Sequence, residues 1–169
     1  MPINQAFLPE YDYEMSTTRK ALERVPFEKF DWAPHAKSMK MGALAAHLAH
    51  MPGWIKETME RDALDVAPGG KPMDMPTPKN RADLLALFDK NVAAGRAALV
   101  AATDDAHWMK PWALQNNGQT MLSMPRVAVV RTFVLNHSIH HRAQLGVYLR
   151  MNDVPVPSTY GPSADEGKF

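Results

Sequence analysis

The chain has 169 residues, 46% hydrophobic and 22% charged, which suits one globular domain over residues 1–169. Its 19 basic and 18 acidic residues leave a net charge of +1, without the basic footprint of a nucleic-acid binder. Cysteine is absent, which excludes disulfides, thiolate metal sites and a protein-borne thiol nucleophile.

The N-terminus reads MPINQAFLPEYDYEM, with acids where a signal peptide needs an apolar core. No window of about 18 residues is uniformly apolar, so no membrane span or membrane partner is expected. A cytoplasmic protein is the simplest expectation. The first helical segment runs from about Asn4 to Val25, with Leu8, Tyr11, Met15, Thr18, Leu22 and Val25 on one face. Pro26 and FEKFDWAPHAKS end it.

A second helix is expected from an N-cap at Ser38, with Met41, Leu44, Leu48, Met51 and Ile55 as its stripe. Pro52 should kink it near Leu48. The stretch from Arg61 to Lys79 is rich in proline and glycine and reads as a loop without regular structure. A third helix spans about Arg81 to Ala102, facing inward with Leu85, Phe88, Val92 and Leu99. The polar and aromatic connection DDAHWMKPWALQNNGQT reads as a short turn or hairpin. A fourth helix runs from about Ser123, with Pro125 in its first turn, to Met151. The tail NDVPVPSTYGPSADEGKF is expected to be extended. The expected fold is therefore all-α: a four-helix bundle with long loops after helices 2 and 3 and a proline-rich C-terminal tail.

Of seven histidines, three crowd into NHSIHHR. His137 and His141 are four apart, so they share one helix face at ligand spacing. On the second helix, His47 lies roughly 65° from the stripe's centre and His50 roughly 120°. His47 is thus the better third ligand and His50 the reserve. The competing reading is core histidines satisfied by hydrogen bonds. No acid lies between Ser38 and Ile55 or between Ser123 and Met151, which excludes a di-iron carboxylate pattern. Twelve methionines suit core packing better than copper. Trp32, Trp54, Trp108 and Trp112 read as core anchors that could also line a cleft. Arg142 and Gln144 flank the pair and could touch a ligand, with a solvated face equally open for Arg142.

The motifs GALAAHLAHMPGW, LERVPFEKFDWAPHAKSMKMG and NHSIHHRAQLGVYLRMNDVPVPSTYGPSADE resemble the DinB family of YfiT-like metal-dependent enzymes over nearly the whole chain. The resemblance implies a four-helix bundle holding a divalent ion, nickel or zinc before iron or manganese, on His47, His137 and His141. It also implies an enzyme that activates water or a small-molecule thiol, of hydrolase or thiol S-transferase type. The alternative is a non-catalytic metal- or ligand-binding stress-response protein. A homodimer is expected, with Leu84 and Val100 as apolar residues outside the inward stripes. The loop at 61–79 and the region of Trp108 and Trp112 are the expected walls of an open metal site.

Overall fold

The computed structural model describes residues 1–167. Helix α1 (Ile3–Glu23) buries Tyr11, Met15, Thr18 and Leu22 of the expected stripe, with Phe7 buried in place of Leu8, which is only half-buried. Helix α2 (Met41–His50) begins two residues later than expected, because Lys40 and not Ser38 stands at its N-cap. The amides of Met41 and Gly42 instead donate to the carbonyls of Trp32 and Phe30, both at 2.8 Å, so the preceding segment closes the helix start.

Pro52 breaks the second helix as its missing donor demands. A 3₁₀ turn over Met51–Gly53 separates α2 from α3 (Trp54–Glu60). The break exposes backbone, and α4 (Arg81–Ala101) answers it: Asn91 Nδ2 donates to the Ala49 carbonyl at 2.8 Å. Gly95 lets α4 approach, since a Cβ there would stand 2.5 Å from the Pro52 carbonyl oxygen and 2.7 Å from the Tyr11 hydroxyl. Leu84, expected as a surface residue for dimerisation, is fully buried in α4's own contacts, whereas Val100 is exposed.

A three-stranded mixed sheet corrects the all-α expectation. β1 (Ala63–Asp65) lies within the presumed loop and pairs in parallel with β2 (Pro111–Asn116). β2 pairs antiparallel with β3 (Gln119–Pro125). Asn117 and Gly118 both take positive φ at the hairpin's tip, the backbone that a two-residue hairpin turn requires. Asp65 fastens the tip by accepting from the amides of Asn117 and Gly118 at 2.9 and 2.8 Å. Residues 123–125, expected as helix, are therefore strand. The short α5 (Asp105–Met109) lies between α4 and β2.

The last helical rod starts at Arg126: α6 (Arg126–Val129), a π-helical turn over Val130–Asn136, then α7 (His137–Met151). Arg126 is 1% exposed and gathers the carbonyls of Thr58, Arg61 and Pro111 at 2.9–3.1 Å. One guanidinium thus ties the end of α3 to the sheet and the last rod. In the main core, α1 contacts α4 and α7, and α2 contacts the same two helices from the other side. No helix among the described residues is long and apolar enough to cross a membrane.

The tail does not stay extended. Residues 159–166 fold back onto α1 and α7. Tyr13 donates to the Thr159 carbonyl at 2.8 Å, Arg24 pairs with Glu166, and Arg150 pairs with Asp165. Lys168 and Phe169 of the expected tail lie outside the described residues. The methionine expectation holds in part: Met15, Met41, Met51 and Met59 are core residues, but Met73, Met75, Met109, Met121 and Met151 are exposed.

Gly95→Ala should lower stability by about 1–3 kcal/mol, because the new methyl forces α4 away from the Pro52 turn. Denaturant melts of the two proteins measure it, and an unchanged midpoint would refute the close approach.

Candidate metal centre

Helix α7 carries two of the three singled-out histidines and α2 the third. The structure brings them together: donor atoms of His47, His137 and His141 all lie within 4.8 Å of one another. Ring centroids are 5.1 Å apart for His47 and His137, 4.8 Å for His47 and His141, and 4.5 Å for His137 and His141. The last pair reflects the i, i+4 spacing. His47 completes the group because α2 lies against α7.

Helix α7 reaches this position after a π-helical turn immediately before His137. Such turns insert a residue and re-aim the following helix, often beside functional residues. The stripe survives it: Val130 and Val134 within the turn and Leu145 and Tyr148 beyond it are all buried.

His141 Nδ1–H donates to Gln144 Oε1 at 2.9 Å. That bond selects the tautomer with a bare Nε2 lone pair. His141 Nε2 in turn stands 2.8 Å from His137 Nε2. Two lone pairs cannot face each other at that distance without a proton or a cation between them. Ring nitrogens sharing one ion at about 2.0–2.1 Å lie roughly 3 Å apart, so the pair fits a shared metal. His137 Nδ1 is buried without a hydrogen-bond partner.

All three rings favour the neutral form that binds metals. Burial pushes His47 down to about 4, helped by the like charges that His141, His137 and His50 would carry. Burial also lowers His137, with His141 acting the same way and the Phe133 carbonyl opposing without a normal hydrogen bond. Burial lowers His141, partly offset by Gln144. No carboxylate belongs to the cluster.

The remaining candidates separate. His50 does not join the cluster; its Nε2 lies 3.2 Å from the Pro76 carbonyl. His140 is exposed, although its ring is 4.8 Å from that of His141. Trp54 packs edge-on against His47 at 5.9 Å and lies 6.4 Å from His137. Trp108 is no wall: it is fully buried, stacked on Phe7 at 5.2 Å. Trp112 is buried in a second cluster with Leu64 and Val129.

Arg142 is not solvated. It forms a buried pair with Glu14 at 2.7 Å. Glu14 was missed because its partner sits on another helix. The available signal was an acid between Tyr11 and Thr18, on α1's inward face.

A profile of the DinB family matches residues 2–168, and the chain belongs to that family. It is 26% identical over 160 residues to the uncharacterized protein YrdA of Bacillus subtilis, covering 95% of this chain and 89% of that one. A DinB-like protein from Bacillus cereus shares the fold, with a TM-score of 0.71 and 22% identity over 92% of this chain and 97% of its own. A second, YjoA of Bacillus subtilis, gives 0.64 and 15% over 95% and 98%.

The depressed histidines predict the metal-free protein's response to acid. His47 binds its proton near 6.5 when unfolded but only near 4 when folded, so the unfolded chain binds more protons between those values. Stability should therefore be full above pH about 6.5 and fall as pH drops towards 4. His47→Gln should flatten that slope in chemical denaturation at stepped pH. An unchanged slope would contradict the assignment.

Proposed function

We propose that this DinB-family protein is a divalent-metal enzyme whose His47, His137 and His141 hold the ion and whose substrate is a small molecule. The observation that carries the reading is the convergence of three neutral imidazoles with no carboxylate among them. Imidazole suits nickel and zinc, with iron and manganese as weaker alternatives. An ion held this way keeps most of its charge and would lower the pKa of water or a thiol reaching it, as hydrolases and thiol S-transferases require.

The protein's own part is positional. Gln144 fixes the His141 tautomer, and α7 spaces His141 from His137. Trp54 screens His47 from solvent on one side. Three side chains do not fill a tetrahedral or octahedral shell, which favours an open catalytic site over a structural one. With no cysteine in the chain, any thiol must be a diffusible cosubstrate.

Protein purified without a metal-affinity tag should carry about one ion per chain by elemental analysis, the stoichiometry of a single three-ligand site. His47→Ala, His137→Ala and His141→Ala should each lose most of it, while His50→Ala keeps it. Unchanged metal in His47→Ala would remove that residue from the ligand set. Cobalt-substituted protein should change its visible spectrum on adding azide or a small thiol. A spectrum indifferent to both would make the ion structural.

A further inference from the structure

Beside the histidine cluster lies a cavity of about 580 Å³, within the usual range for small-molecule sites. It is bounded by α3, α4 and the segment after β1. Trp54, Met73 and Met75 are among its apolar lining, and Lys56 and Lys90 stand in the same wall. Trp54 is the shared partition, lining the cavity while packing edge-on against His47. A molecule seated on the indole is therefore one side chain away from His47 and His137.

The covering segment fits this role. Met73 and Met75 are 43% and 39% exposed, so neither is spent on the core. Thioether side chains adapt their shape to a guest. The segment is held by the Met73 amide on the Val66 carbonyl at 2.9 Å and by the His50–Pro76 contact at 3.2 Å.

The charges favour an anion. Arg61 is taken up by Glu57 at 3.0 Å, and Lys56 reaches Glu60 only at 3.9 Å. Lys90 has no ion pair among the described residues. With Arg61 and Glu57 paired, Asp74 opposes the two lysines in the wall, which leaves one positive charge in excess.

We propose that this cavity binds the non-reacting body of an amphipathic organic anion, its apolar part between Trp54 and the Met73–Met75 segment and its acidic group on Lys90 and Lys56. The inference rests on the histidine cluster as reactive centre, and it names the class of substrate presented to that centre.

Anilinonaphthalene sulfonate is a suitable aromatic anion, with neutral phenylnaphthylamine as control. The twelve methionines supply reporters when their methyl carbons are labelled for NMR. Titration should shift the Met73 and Met75 methyls saturably and leave Met151, beside the separate cavity along α7, unmoved. Lys90→Glu and Met73→Glu, both at exposed positions, should each weaken binding by about tenfold. The neutral analogue should bind more weakly than the sulfonate.

Binding should persist in metal-free protein and in His141→Ala. Loss of metal therefore tests the histidine assignment, and loss of the Met73 and Met75 shifts tests the cavity. Shifts at Met151 instead, equal binding of the neutral analogue, or binding that vanishes in His141→Ala would each overturn the proposal.

Discussion

The ion pair between Arg142 and Glu14 is the constraint on which the arrangement of the last helix depends. Both side chains are about 95% buried. The guanidinium also donates to the Glu14 carbonyl at 3.1 Å, to Thr18 Oγ1 at 3.3 Å and to the Tyr160 hydroxyl at 2.8 Å. Tyr160 closes the circuit by donating to Glu14 at 2.7 Å. Net stabilisation from a buried pair is small because desolvation offsets most of the Coulomb gain. Its effect is on register: sliding or turning α7 would strand a buried charge. Since Arg142 adjoins His141, the same lock fixes where the imidazoles point.

A second lock works from the opposite side. Pro52 divides α2 from α3, and α4 repairs the break with Asn91 and approaches it through Gly95. The break falls between His47 and Trp54, so the bend brings the indole over the histidine. An unbroken helix would place Trp54 two turns further along one straight axis. The kink thus contributes directly to the surroundings of the cluster.

Periodicity made the four helical rods legible, together with the three histidines, because burial on one face repeats at 3.6 residues. Long-range pairing stayed hidden. Strand β1 has three residues, too few for alternation to register, and its partner lies about fifty positions away. Pro125 suited the first turn of a helix, yet it is also where β3 ends, and both readings agree with its missing donor. Leu84 fell outside a single stripe because α4 contacts α1, α2 and α3 and buries a broad arc. A ligand contact and a solvated face were equally open for Arg142, because its buried acid lies on another helix. Gln144 could be noticed as a neighbour, but its bond to His141 Nδ1 depends on side-chain conformation.

The two sides of the molecule differ in what can move. Along α7 the tail is tied by Tyr13, Arg24, Arg150 and the Glu14 circuit. Local opening there must break several interactions at once. The segment carrying Met73 and Met75 contributes no side chain to the main core, and its methionines are exposed. By the relation between local contacts and local opening, it is the cheaper of the two to displace. Its displacement would uncover Trp54 while leaving the register of α7 unchanged. The fold therefore separates a firmly tied last helix, which carries His137 and His141, from a more easily displaced segment along the adjoining cavity.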